Sequence, residues 1–116
     1  MTSQSSIGYW GEVQACHFLK QKGYFLVARN YRIGRAEIDL IFHHDGVCVF
    51  VEVKTRSGNR YGDPVDFVRE VQKERILLSA QIFLQNRPKI EEIRFDIASI
   101  FGNRKRYELK HWIDAF

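Results

Sequence analysis

Asp45-Gly46, set between two apolar runs, constrains this chain more than any other feature. Both residues tolerate the positive φ that a two-residue type I′ turn demands, so the flanking runs, Glu37 to His43 and Val47 to Lys54, read as one hairpin. His44 then faces Val47, and every pair further out follows. Asp39 falls opposite Glu52, and Glu37 opposite Lys54. Residues two apart on a strand share a face, so all four side chains should emerge together. Opposed Cβ atoms lie about 4.5–5.5 Å apart. The reverse face reads Ile38, Leu40, Phe42, Val49, Val51 and Val53, apolar throughout. The two strands are therefore expected to be central, with an acidic cluster at the end of an otherwise buried surface.

Two carboxylates held that close repel one another and favour protonation unless a cation joins them. Lys54 or a divalent metal would serve. A hard ion such as Mg²⁺ takes carboxylate and carbonyl oxygens while keeping waters and substrate phosphate. Asp39, Glu52 and the Val53 carbonyl could supply such oxygens, and Lys54 could orient or deprotonate a metal-bound water. This is the chemistry of metal-assisted phosphodiester hydrolysis.

The remaining elements follow from periodicity and punctuation. The first twenty-odd residues read as a helix, with serines as N-cap choices and Gly23 as the stop. Gly8, Gly11 and Ala15 put small residues on one stripe, which lets a helix lie close to a sheet. Tyr24 to Tyr31 reads as a strand. Asp63-Pro64 is the clearest helix start, with Asp66 favouring its positive end. That helix should run to about Gln85, interrupted near Val68 to Val71. Arg94 to Ile100 and Arg106 to Ile113 complete the set. The order αβββαββ places a long helix between two strands, the pattern of a right-handed parallel crossover. The expectation is one α/β domain over 1–116, a mixed five-stranded sheet covered on both faces, α/β/α.

With 116 residues the chain has room for one core. No apolar run approaches the ~20 residues that span a bilayer. The polar start lacks a signal-peptide pattern, and Cys16 and Cys48 make neither a zinc pair nor a disulfide framework. A cytoplasmic location with reduced thiols is expected. Eighteen Lys and Arg against fourteen Asp and Glu give +4, a weak hint of a polyanionic partner.

At the acidic hairpin the sequence resembles the YraN-like family of small bacterial proteins, related to archaeal Holliday-junction resolvases within the restriction-endonuclease-like superfamily. The likeness is carried by Gly11-Glu12 with Ala15, Gly23-Tyr24, Arg29-Asn30-Tyr31-Arg32, Glu37-Ile38-Asp39-Leu40-Ile41 and Val49 to Arg56. Gly62, Pro64, Lys73 with Arg75, Arg94-Phe95-Asp96 and Ala115-Phe116 extend it over nearly the whole chain. Two positions depart: Ile38 rather than proline precedes the first acid, and Ala36 stands where glycine is usual. The resemblance implies a restriction-endonuclease-like fold and Mg²⁺- or Mn²⁺-dependent nucleic-acid cleavage. It also implies a catalytic set of Asp39, Glu52 and Lys54, with Glu12 as a further acidic ligand. Relatives that cut four-way junctions act as homodimers.

Beside that set, Arg29, Arg35, Arg56, Arg60 and Lys73 are candidates for nucleic-acid contacts. Gln72 and Lys73 would face the site from the second helix. Tyr31 and Tyr61 could stack on bases, although strand aromatics are more often core. Glu37 could hold Lys54 or be structural. His43 and His44 read as exposed turn residues, His17 and His111 carry no partner signal, and both cysteines read as small core side chains. Three functions stay open. The first is a metal-dependent nuclease acting on branched or single-stranded DNA, since so small a chain has little surface for reading grooves. The second is a DNA-structure-binding module with weak or partner-dependent cleavage. The third is an interaction domain with a structural charge lattice.

Overall fold

Asp45 and Gly46 adopt φ of +50° and +80°, and the hairpin forms in the register the turn dictates, from His44 opposite Val47 to Leu40 opposite Val51. The computed structural model describes residues 6–56 and 68–116. Its elements are α1 (Ile7–Gln21), β1 (Phe25–Ile33), β2 (Ala36–His44), β3 (Val47–Arg56), α2 (Glu70–Gln85), β4 (Glu92–Gly102) and β5 (Tyr107–Trp112). The strands form one sheet in sequential order. β3 and β4 are parallel and the other neighbours antiparallel, so the sheet is mixed as expected.

Ser6 caps α1 by accepting the Tyr9 amide at 3.0 Å. Gly23, at φ +92°, ends it. The Gly23 amide bonds the Lys20 carbonyl and the Tyr24 amide bonds that of Leu19, a paired closure that needs a left-handed residue. The described helix α2 starts at Glu70 and ends at Gln85, the end expected for it. The expected start at Asp63-Pro64, with Arg60, Tyr61, Gly62 and Asp66, lies outside the described residues.

One helix covers each face. Ala15, Cys16 and Leu19 of α1 pack on Leu40, Phe42, Val49 and Val51. Ile76, Ala80 and Phe83 of α2 pack on Ile41, Cys48, Phe50 and Phe95. Fully burying side chains of this size contributes about 1.5–3 kcal/mol each. The small-residue stripe works at two of its three positions. Gly11 and Ala15 are buried, and a Cβ on Gly11 would run into Thr55 of β3. Gly8 is exposed and takes no part.

Strict alternation along β2 fails where the site begins. Ile38, expected on the face of Leu40 and Phe42, belongs instead to the α2-side core, together with Tyr31. β1 is irregular at the same level. Arg29 pairs with Leu40 and Tyr31 with Ile38, which leaves Asn30 across from Asp39, and Asn30 has φ +49°. A left-handed residue turns the strand over, so side chains on either side of it no longer alternate in phase. Tyr31 packs edge-on against Phe83, 5.2 Å between centroids, which makes it core.

Candidate active site

The β2–β3 ladder stops at Leu40 and Val51, and Asp39 fills the gap beyond it. Its Oδ2 accepts the Val53 amide at 2.8 Å, replacing the strand-to-strand bond that pairing would have supplied. Glu52 is buried on the neighbouring strand. Gln72 of α2 donates to Glu52 Oε2 at 2.5 Å, and Lys54 Nζ stands 3.4 Å from the same oxygen.

The expected gathering of four side chains is thus only partly realised. Asp39, Glu52 and Lys54 come together. Glu37 does not hold Lys54: it pairs with Arg32 at 3.4 Å, while Lys54 turns to Glu52, the more buried acid. Glu12 reaches the cluster from α1, held by Asn30 Nδ2 at 3.0 Å. Val53 engages Asp39 through its amide.

Electrostatics mark the cluster. Burial pushes the Asp39 carboxyl well above the usual carboxylate range, and the charges of Glu52, Glu12 and Glu37 add to the rise against the opposing Val53 bond. Burial also raises Glu52, opposed by Lys54, Gln72 and a hydrogen bond with Asp39 itself. Burial raises Glu12 in turn, with Asn30 opposing. The acids therefore hold protons more tightly than free carboxylates. Among the described residues, no three His, Cys, Asp or Glu side chains are grouped so as to hold a metal by themselves.

A cavity of about 320 Å³ opens over this cluster on the α2 side. Asp39, Glu37 and Glu52 line it from the sheet, Gln72 and Arg75 from α2, and Arg35 from the β1–β2 turn. Gln72 therefore faces the site as expected, whereas Lys73 pairs with Glu70 at 3.7 Å and does not line the cavity. Arg29 lies over the Tyr9 ring, 5.6 Å to its centroid, and Arg56 ends β3 exposed. Arg60 is outside the described residues.

Sequence reasoning gave no role to Asn30, which only a positive φ in mid-strand betrays, and missed the partners of His111. His111 Nε2 lies 2.7 Å from the fully buried Asp96, which also receives two bonds from Arg94 and the Asp114 amide. His44 is not a free turn residue either, since it stacks on Tyr24 at 3.9 Å. Cys16 and Cys48 are buried thiols, and burial pushes Cys48 up to about 11.

Fold and site together define a small α/β protein whose central strands carry two neighbouring carboxylates, Glu52 buried and Asp39 half-buried, beside a lysine. The family described as "Uncharacterised protein family UPF0102" matches residues 11–100, and the chain belongs to it. A UPF0102 protein of Flavobacterium psychrophilum is 34% identical across 100% of this chain and 98% of its own. One from Cytophaga hutchinsonii is 42% identical over 82% and 84%, and one from Syntrophomonas wolfei 36% over 95% and 96%. Among solved structures, Pyrococcus furiosus SfsA in complex with Ca²⁺ is similar at a TM-score of 0.37 and 11% identity. The match covers 87% of this chain and 58% of that one. Among the described residues no helix is long and apolar enough to cross a membrane.

Proposed function

We propose that this protein is a divalent-metal-dependent nuclease of restriction-endonuclease-like type that hydrolyses DNA phosphodiester bonds, with branched or single-stranded DNA as substrate. The observation that carries the reading is the placing of buried Glu52 beside half-buried Asp39, both raised above ordinary carboxylates, with Lys54 and Gln72 on one Glu52 oxygen. Their donor set is all hard oxygen, and it fits Mg²⁺ or Mn²⁺. Asp39, Glu52, the Val53 carbonyl and Glu12 would hold the ion. When bound, it supplies Lewis-acid stabilisation of phosphate charge and a more acidic water.

The chain's own groups divide the remaining work. Lys54 orients the attacking water and offsets charge on the phosphate. Gln72 keeps the Glu52 carboxylate in one orientation. Arg35, lining the cavity, and Arg56, the exposed last residue of β3, take backbone phosphates, with Arg29, Arg60 and Lys73 as further contacts.

A second reading, a DNA-structure-binding module that cuts only when a partner or second copy completes the site, is favoured by one observation. The described acids do not by themselves group into a metal cage.

The test is incubation with linear, single-stranded and four-way-junction DNA in Mg²⁺, Mn²⁺ or EDTA, beside Glu52→Ala and Lys54→Ala. Metal-dependent cleavage lost in both variants is expected. Salt-sensitive binding without cleavage would move the binding module ahead. Absence of both would leave a structural charge lattice.

A further inference from the structure

The tight turn joining β4 to β5 carries three consecutive basic residues, Arg104, Lys105 and Arg106, all exposed. It is stitched rather than loose. The Asn103 amide donates to the Arg106 carbonyl at 2.9 Å, and Asn103 Oδ1 accepts the Lys105 and Arg106 amides at 2.9 and 3.0 Å. Gly102 precedes it at φ +122°, where any Cβ would meet the Arg106 carbonyl. Arg104 also donates to the Ser6 carbonyl at 3.4 Å, tying the turn to the start of α1. The sole acid of β5, Glu108, sits back on the strand opposite Phe101.

Its position matters as much as its charge. β3 and β4 run parallel, with Glu52 beside Ile97, Lys54 beside Ser99 and Arg56 beside Phe101. The turn therefore lies beyond Glu52 in the direction in which the two parallel strands run. Gly102 lies five residues beyond the level of Glu52, on the order of 17 Å at ~3.3 Å per strand residue. A DNA duplex rises ~3.4 Å per base pair along its axis, so that span corresponds to about five nucleotides of a duplex arm laid along the strands.

We propose that the Asn103–Arg106 turn is a second nucleic-acid contact that grips the substrate's sugar–phosphate backbone about five nucleotides from the scissile bond. The inference rests on the nuclease reading above and adds a footprint to it. A turn fixed by its own hydrogen bonds presents its charges without the ordering cost that a flexible loop would incur. Basic side chains on a rigid support are suited to phosphates, which position a substrate without reading its sequence.

The experiment compares the full chain with an Arg104→Ala/Lys105→Ala/Arg106→Ala variant and with Lys105→Glu alone. Asn103 and Gly102 are kept, so the turn's hydrogen bonds survive. Anisotropy titrations in EDTA over a range of salt would use branched DNA with arms of about three or about twelve nucleotides, either side of the expected reach. On long arms the triple variant should bind 10–100-fold more weakly, with a log K against log salt slope shallower by about 2–3. Lys105→Glu should fall between it and wild type, and on short arms all three should bind alike. Equal affinity and slope on long arms would overturn the proposal while leaving the nuclease reading intact. Equal losses on short and long arms would overturn the spacing. A wild type with no salt-sensitive DNA binding would sink both.

Discussion

Asp39 accepts the Val53 amide across the gap where β2 and β3 stop pairing, directly opposite Asn30, whose backbone is left-handed. The carboxylate is thus a structural plug in the sheet and the most strongly raised acid of the cluster at once. On the nuclease proposal, stability and catalysis meet at this one side chain and pull in opposite directions.

Asp39→Asn keeps an oxygen for the Val53 amide but removes the titration. Because the folded carboxyl is raised, its stabilising contribution is present below the ordinary Asp value of ~3.9 and lost as pH rises through the folded value. The variant should therefore be more stable than wild type by about 0.5–2 kcal/mol near neutrality. Its urea midpoint in EDTA should vary less with pH between acid and neutral. Cleavage should be lost. A variant less stable than wild type at neutral pH would contradict the account.

Asp96 behaves with the opposite sign. Burial alone would raise it, but His111, both Arg94 bonds and the Asp114 amide outweigh burial and hold it below the ordinary range. Its contribution is present above ~3.9 and lost as pH falls through the lower folded value. Asp96→Asn leaves Arg94 half-matched and should cost about 3–5 kcal/mol. Chemical denaturation at pH 7 measures it; a loss under 1 kcal/mol would mean that the network is incidental.

Gln72→Leu removes a donor from Glu52 without adding charge. Outer-sphere partners of metal-binding acids are typically worth about 10–100-fold in affinity or activity. Mn²⁺ titration calorimetry and single-turnover cleavage should both show that loss, while DNA affinity in EDTA holds. Unchanged metal affinity would remove Gln72 from the site.

Gly11→Ala drives a methyl into Thr55 and should destabilise by about 1–3 kcal/mol as α1 is pushed from β3. Thr55→Ala in the same chain should recover part of that loss. A double-mutant cycle on unfolding free energies reads the coupling, and strict additivity would refute close approach as the glycine's purpose.

Asn30 separates backbone from side chain. Asn30→Gly tolerates the φ of +49° but drops the bond to Glu12. Asn30→Ala loses that bond and strains the backbone, for about 1–2 kcal/mol. If both variants lose cleavage but only alanine loses stability, the residue positions Glu12.

Local chemistry was enough to specify the hairpin and its register, because Asp45-Gly46 admits one tight turn and β-structure repeats every two residues. The same logic gave the helix end at Gly23, the parallel β3–α2–β4 unit and the hairpin pairs from His44–Val47 to Leu40–Val51. Periodicity failed at one level of the sheet, where β1 and β2 are both irregular. Asn30 reverses β1, Ile38 changes face, and the β2–β3 ladder ends early, so neither the gap that Asp39 fills nor the true partners of Lys54 and Glu37 could be read locally. Gln72 and Arg75 join the cavity only because α2 packs back over β2 and β3, and Asp96 finds His111 only across the β4–β5 pairing. Short-range steric rules decided the elements and their facing residues. Which charge is buried beside which was decided by desolvation and long-range packing, and those exist only once the chain has closed on itself.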